Sequence, residues 1–304
     1  MKNDVALVFP VFNALEYTKK CLEDIYSKFD KKPNETLPLD IIITDDNSSD
    51  GSYIWIKENY PHVYLQKGDG NLWWSGGVNK GIEYAFKDLG SQYILLWNND
   101  ITPAEDYFKN LFAIINANPD LDLICSKVYQ LDKEKDTVLS LGGIFDPKTG
   151  TQRLYGWKMK DNEDLMKPRE ADWFGGMGTL INKKVFDKIG LFDQKNFPQY
   201  HGDADFGLRA TKAGFKLIAR PELKIWNDRT NTGLSNDKSF KIFIRSLFTL
   251  KSNFNLYRDI LFYRRHATSI KAYRHLLIKY YRHIGGFIKW KTLALFGKTR
   301  QHSN

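Results

Sequence analysis

Leu95-Leu96-Trp97-Asn98-Asn99-Asp100 sets a short apolar run directly before two carboxamides and a carboxylate. An apolar run of this length reads as a buried strand. A carboxylate at its carboxyl end stands where open α/β sheets bind ligands. Mg²⁺ is held by oxygen ligands, with only one or two protein carboxylates beside substrate phosphates. The same segment also fits a strand running into an Asn/Asp turn. Two further clusters carry related chemistry. Thr44-Asp45-Asp46-Asn47-Ser48-Ser49-Asp50-Gly51 follows another apolar run, and an acid just past a strand accepts hydrogen bonds from a ribose or a base N–H. An ordinary turn with a helix N-cap has the same composition. His201-Gly202-Asp203-Ala204-Asp205-Phe206-Gly207 puts Asp203 at an expected helix N-terminus, where the helix dipole favours its anionic form. A general base must be ionised and within reach of the hydroxyl it deprotonates. A plain N-cap would occupy the same position.

A fourth segment, Gly68-Asp69-Gly70-Asn71-Leu72-Trp73-Trp74-Ser75-Gly76-Gly77-Val78-Asn79-Lys80-Gly81, matches neither the dinucleotide fingerprint nor a P-loop. Two adjacent tryptophans in a Gly-rich loop suggest a loop folded over a ligand. Asn79 and Lys80 would then open the next helix within reach of a phosphate. Alternatively, Trp73 and Trp74 fill the core.

The elements that must position these side chains follow from the apolar pattern. Val5 to Phe9 is a strand-like run stopped by Pro10 and followed by Val11, Phe12 and Asn13. Leu15, Cys21, Leu22, Ile25 and Phe29 share a helical face, Leu39 to Thr44 reads as the second strand, and a helix then runs to Asn59. Val63 to Gln66 and Tyr93 to Trp97 are the third and fourth strands, separated by a loop to Gly77 and a helix from Val78 to Leu89. Pro103 stands where a helix to about Ala117 would begin. This βα alternation predicts an α/β fold, a mostly parallel sheet with helices on both faces. Right-handed crossovers set the ends of the first, second and fourth strands on one rim. Residues 121–182 are strand-like with Gly-rich turns and are expected as extra β structure beside the sheet. Asp203 to Gly214 and Phe240 to about Phe296 return to helical spacing.

The 304 residues are 42% hydrophobic and 14% aromatic, a globular composition. Only two cysteines occur, Cys21 and Cys125, which leaves no disulfide framework or zinc spacing, and their apolar stretches predict buried free thiols. No apolar run approaches the roughly 20 residues that span a bilayer. The first strand begins almost at Met1, so no signal peptide is expected. The expected location is cytoplasmic, peripheral on the inner face of the cell membrane. The net charge of +9 is uneven. Residues 238–304 hold 15 Lys/Arg and one acid, Asp259, or +14, which leaves −5 for residues 1–237. Phe240, Phe243, Ile244, Leu247 and Phe248, then Tyr273, Leu277, Tyr280, Tyr281, Ile284 and Ile288, keep helical spacing, with Lys241, Arg245, Arg274, Lys279 and Arg282 among them. Such basic amphipathic helices suit an anionic membrane surface, or helices docked on a catalytic domain with a solvated basic face. The tail alone also admits a nucleic-acid-binding protein, but the acidic body offers no track for one, so nucleic acid is not an expected partner.

Taken together, several landmarks resemble the family 2 glycosyltransferases, inverting enzymes of GT-A fold, over about residues 4–228. They are Pro10-Val11-Phe12-Asn13, Asp45 to Gly51, Asn71 to Gly81, Asn98-Asn99-Asp100, Gly175-Gly176 ahead of Val185 to Asp193, and Gly202-Asp203-Ala204-Asp205. No one motif is specific; their order and spacing carry the match, and the Trp73-Trp74 loop resembles bacterial rhamnosyltransferase-type members. The resemblance implies a GT-A domain over 1–236, with a nucleotide-binding half (1–120) and an acceptor half (121–236), and a basic amphipathic helical region over 237–304. It implies that Asp46 contacts the nucleotide base near Pro10, Val11, Phe12 and Asn13, and that Asp100 holds Mg²⁺ or Mn²⁺ on the donor diphosphate. Asn98 and Asn99 would lie by the ribose and metal, and Asp203 would deprotonate the acceptor hydroxyl. Asn71, Trp74, Asn79 and Lys80 join the donor side; Trp173, Gly175, Gly176 and His201 join the acceptor side.

Three departures stand out. Asn98 replaces the first acid of the family's D-x-D and removes a charge from the metal site. Gly202 replaces the usual glutamate, so its helper role is vacant or passes to His201. Ile225-Trp226-Asn227-Asp228 lacks the usual metal-touching histidine, so Asn227 or Asp228 substitutes. The implied reaction moves a sugar from a UDP- or dTDP-sugar, dTDP-rhamnose among them, to a lipid-linked or growing surface glycan. A glycosyltransferase-like protein with impaired catalysis is the alternative that Asn98 and Gly202 raise.

Overall fold

The computed structural model describes residues 3–131, 137–228 and 239–295; the expected boundary at 236/237 lies outside them. The chain divides into two compact units, residues 1–144 with 153–231, and residues 145–152 with 232–304.

In the first unit, β1 (Val5–Val11), β2 (Asp40–Asp45), β3 (Tyr64–Lys67) and β4 (Tyr93–Leu96) run parallel in the order β3-β2-β1-β4. Alternate residues of a strand point to opposite faces, and β1 is apolar on both. Leu7, Phe9 and Val11 pack with Cys21 and Leu22 of α1 (Leu15–Ser27), Ile56 of α2 (Ser52–Asn59) and Phe108 of α4 (Tyr107–Ala117). Ala6 and Val8 pack with Val78 and Ile82 of α3 (Trp73–Tyr84), Phe186 of α5 (Lys183–Ile189) and Phe206 of α6 (Gly202–Lys212). The chain winds from β1 to β2 and β3 on one side and returns to β4 on the other. The crevice past the carboxyl ends of β1 and β4 is therefore a topological switch point, where open α/β sheets bind ligands.

The sheet continues past β4. Here β12 (Thr179–Asn182) pairs antiparallel with β4, β6 (Leu123–Gln130) pairs with β12, and β7 (Thr137–Ser140) and β10 (Met159–Lys160) extend the edge. Apart from residues 143–154, the strands expected beside the sheet thus belong to it, and one sheet runs through both halves expected around residue 120. A long strand, β13 (Leu217–Asn227), pairs with β6, with β5 (Ile101–Pro103) and with β11 (Arg169–Ala171). A separate two-stranded ribbon joins β8 (Gly143–Asp146) and β9 (Thr151–Leu154).

Two expected boundaries move. Helix α3 begins at Trp73 rather than Val78, because its glycines serve close packing rather than a loop. A Cβ on Gly77 would lie 2.6 Å from Pro10 Cβ, and one on Gly81 2.4 Å from Val8 Cγ1. Pro103 closes β5 instead of opening a helix, and α4 starts at Tyr107. A proline at the end of so short a strand withholds little from the hydrogen-bond ladder.

Among its described residues the second unit carries three helices, α7 (Phe240–Ser246), α8 (Leu256–His266) and α9 (Ile270–Leu295). Among the described residues no helix is long and apolar enough to cross a membrane.

Candidate active site

The rim at the carboxyl ends of β1, β2 and β4 collects most of the expected donor residues. Asn13 ties β1 to the segment after β2. Its Oδ1 accepts from Ser49 N (2.8 Å), and its own N–H donates to Ser48 Oγ (3.0 Å). Val11 is buried, Pro10 is half-buried, and Phe12 and Asn71 are exposed. Asp46 is buried just past β2. Its Oδ1 accepts from Gly70 N (2.8 Å), and its Oδ2 accepts from Leu72 N (3.0 Å) and Trp73 N (3.1 Å). The carboxylate expected at a nucleotide base is thus turned to its own loop, where it caps α3 at the end whose dipole favours an anion. It also pins a strained turn. Trp73 sits at φ +56°, a conformation that costs an L-residue about 1–2 kcal/mol.

Trp74 joins the two sides of the crevice. Its Nε1 donates to Asn98 Oδ1 (3.0 Å) directly after β4, and its ring meets Phe192 edge-on at 5.5 Å. Asn98 therefore directs its carboxamide oxygen to an indole, and Asn99 donates to Thr18 Oγ1 (3.0 Å). The far edge of Trp74 lies over Gly176, where a Cβ would be 2.1 Å from Cζ2. Gly176→Ala should therefore overpack this contact, at about 1–3 kcal/mol, and push the indole off Asn98. Gly175→Ala should be nearly neutral, since its Cβ would meet only the Met177 methyl at 3.5 Å. Thermal denaturation and nucleotide binding measured on both variants separate the two cases.

Asn79 and Lys80 take other tasks than reaching a phosphate, because α3 starts six residues before Asn79 and places both beyond its first turn. Asn79 is buried; its Nδ2 donates to Phe192 O (2.9 Å) and Gln194 Oε1 (2.9 Å), and its Oδ1 accepts from Phe192 N (3.0 Å). Lys80 is exposed and donates to Lys67 O (2.8 Å).

Asp203 stands in the first turn of α6 and is half-buried. Its Oδ2 accepts from Gly176 N (3.2 Å) and its Oδ1 from Ala204 N (2.8 Å). Burial pushes its carboxyl above the usual range, against smaller opposing effects of the Ala204 N–H, the His201 ring and the Gly176 N–H. Desolvation thus outweighs the hydrogen bonds that favour the anion, in a group at a helix N-terminus. His201 precedes the helix at φ +67°. Gly202 is not an open vacancy: a Cβ there would lie 2.4 Å from Ser75 Oγ, so Ser75 occupies the space a glutamate would need. The neighbouring Asp205 is fully buried and paired with Arg209 (2.9 Å).

Pairing of β5 with β13 sets Asn227 opposite Ile101, and Asp228 N donates to Asp100 O (2.9 Å). Burial pushes the Asp100 carboxyl up to about 6, and the Asp228 carboxylate adds to the shift. Asp100 Oδ1 and Asn227 Oδ1 are buried with no hydrogen-bond partner, a condition that ordinarily costs about 1–3 kcal/mol each. Tyr17, which lies in no motif of the sequence, donates its hydroxyl to Asp228 Oδ2 (3.4 Å). The adjacent Asp100 and Asp228 carboxylates, one of them with an orphaned oxygen, and the orphaned Asn227 oxygen fit a hard divalent cation that draws its other ligands from a diphosphate.

Beside Gly175 a cleft of about 170 Å³ is walled by Trp173, Trp157, Met177, Ser140 and Asn227. Trp157 and Met177 carried no sequence signal, since aromatic and thioether side chains are ordinarily core. The strap after Trp157 is held by Lys127, wholly buried, which donates to Asp161 and to Leu165 O (2.8 Å).

The model of Glycosyl transferase family 2 matches residues 6–190, more than half of the chain. An N-acetylglucosaminyl-diphospho-decaprenol L-rhamnosyltransferase of Mycobacterium tuberculosis is 22% identical over 216 residues, 64% of this chain and 68% of the relative. A low-salt glycan biosynthesis hexosyltransferase of Haloferax volcanii is 24% identical over 182 residues, 59% of this chain and 55% of the relative. Among solved structures, a mannosyltransferase from Pyrobaculum calidifontis in complex with GDP-Man and Mn²⁺ superposes with a TM-score of 0.52 at 13% identity, covering 93% of this chain and 70% of that one. That likeness shows the GT-A fold.

Proposed function

From the premise that this chain belongs to glycosyltransferase family 2, we propose that it is an inverting enzyme that moves a sugar, rhamnose in the first instance, from a dTDP- or UDP-linked donor to a lipid-linked glycan. The carrying observation is one chain of contacts. Asp46 pins the 70–73 loop, Trp74 leaves that loop to bond Asn98, and Gly176, under Trp74, donates to Asp203. A donor lying against Trp74, which fills the space between Asn98 and Gly176, would present its anomeric carbon to an acceptor beside Asp203.

Asp203 takes the acceptor hydroxyl proton, the acceptor oxygen forms its bond to the anomeric carbon, and the bond from that carbon to the diphosphate breaks. Asp100, Asn227 and Asp228 are the residues that would hold Mg²⁺ or Mn²⁺. When bound, the ion neutralises charge on the departing diphosphate. The acceptor enters by the cleft of Trp173 and Trp157, whose rings suit the apolar face of a sugar, with Gly175, Gly176 and His201 around the base. The name of the mycobacterial relative supports rhamnose and a polyprenyl-linked acceptor. The basic second unit supports transfer at an anionic membrane on the cytoplasmic side.

Incubation with dTDP-rhamnose, UDP-sugars and GDP-mannose tests the reading, using a polyprenyl-diphosphate acceptor with and without Mn²⁺. The expected result is an acceptor-dependent product with inverted anomeric configuration, more abundant with Mn²⁺. Donor binding without turnover of any of these would leave the impaired-catalysis alternative.

A further inference from the structure

Helix α9 carries two apolar faces, and among the described residues of its unit one is covered and the other exposed. On the inner face Ala272, Leu276 and Tyr280 are buried, the Phe287 ring stacks on Phe243 of α7 at 4.3 Å, and His283 stacks on Phe254 at 3.8 Å. Asp259 of α8 is buried against this face and accepts from Lys279 Nζ (2.5 Å) and Tyr280 OH (2.6 Å). On the other face Ile270, Leu277, Tyr281, Ile284, Ile288 and Leu295 are exposed by 84, 71, 78, 43, 57 and 85%. At about 100° per residue these six fall within roughly 60° of arc and form a stripe about 37 Å long.

Exposed Lys271, Arg274, Arg282, Lys289 and Lys291 share the helix with this stripe, and no acid lies on α9. From residue 238 onward the one acid is Asp259, which is buried and paired.

We propose that the stripe of α9 inserts into the interface of an anionic lipid leaflet, with the helix lying in the membrane plane. This deepens, and rests on, the proposed lipid-linked acceptor by assigning the face through which the enzyme meets the membrane. A flat helix with an apolar face and basic flanks buries that face at the headgroup boundary while its cations meet lipid phosphates. A second copy of the same face is a poor occupant, because it would set Lys and Arg against Lys and Arg with no compensating acid. A nucleic acid would use the cations and leave six apolar side chains in water.

The test uses full-length protein and flotation with vesicles of phosphatidylcholine alone or with phosphatidylglycerol. Wild type should float with the anionic vesicles only and be released by high salt, as surface charge is screened. Leu277→Glu with Ile288→Glu should reduce flotation at least ten-fold while leaving the melting temperature and turnover of donor with a water-soluble acceptor unchanged. Binding of the double variant equal to wild type would overturn the proposal. So would a wild-type dimer, seen by light scattering, that the same variant splits without any vesicle binding, or a salt-sensitive shift with an oligonucleotide in place of flotation. Flotation as expected with no transfer to any acceptor would refute the catalytic reading and leave the membrane face standing.

Discussion

Asp203→Asn should lower sugar transfer by about 10²–10⁴-fold, the usual worth of a general base, with donor affinity nearly unchanged. The amide keeps the shape and can still accept from Gly176 N, but it cannot take a proton. Retention of more than half of wild-type turnover would remove Asp203 from the reaction. The pH profile carries a second signature. Burial raises the Asp203 carboxyl, so kcat/KM should fall on the acid side at a pH above that of an ordinary carboxylate, as the base protonates. The stability effect has the opposite sense. A carboxyl whose folded pKa exceeds its unfolded one stabilises the protein below the unfolded pKa, and that contribution is lost as pH rises through the folded pKa. At neutral pH the variant gains by having no charge to bury and loses one of the two N–H bonds that the carboxylate accepts. Its stability relative to wild type should therefore be greatest at neutral pH and decline in acid. A large loss of melting temperature would mean that Asp203 is chiefly a structural cap.

Asp100→Ala should abolish the response of nucleotide-sugar binding to Mn²⁺. Loss of an outer-shell partner alone typically weakens metal binding 10–100-fold, and loss of the first carboxylate should exceed that. In calorimetry the variant's donor affinity should be the same with and without Mn²⁺, while wild type binds tighter with the ion. Thermal melting gives an independent reading, because Mn²⁺ at 100 times its Kd would stabilise wild type by about 2.7 kcal/mol and the variant by none. Without metal, wild type should lose stability as pH rises through about 6, where Asp100 ionises beside Asp228, and the variant should lack that component. Metal dependence that survives the substitution would move the ion to residues other than Asp100.

By itself the sequence determined where the polar chemistry falls along the chain. Asp46 and Asn98 to Asp100 each follow an apolar run, and Asp203 opens an apolar-periodic segment. Such boundaries are local, so strand ends and helix starts can be read from them. The alternation of those runs is enough to put the ends of β1, β2 and β4 on one rim, because crossover handedness leaves few arrangements. Tertiary structure decided which of these residues meet. Asp100 reaches Asn227 and Asp228 only because β5 pairs with β13, a register that a proline at 103 disguised as a helix start. The glycines after Trp74 looked like a loop until helix α3 was laid against Val8 and Pro10. Gly202 looked like a missing glutamate until Ser75 was found in its place, and the helix N-terminus at Asp203 gave no sign that burial raises its carboxyl. In the tail, Tyr280 and Tyr281 sat in one periodic pattern, yet Tyr280 is docked on Asp259 and Tyr281 is exposed. Periodicity reports that a face is apolar; only the neighbours that pack against it determine which apolar face is covered and which one is left for a partner.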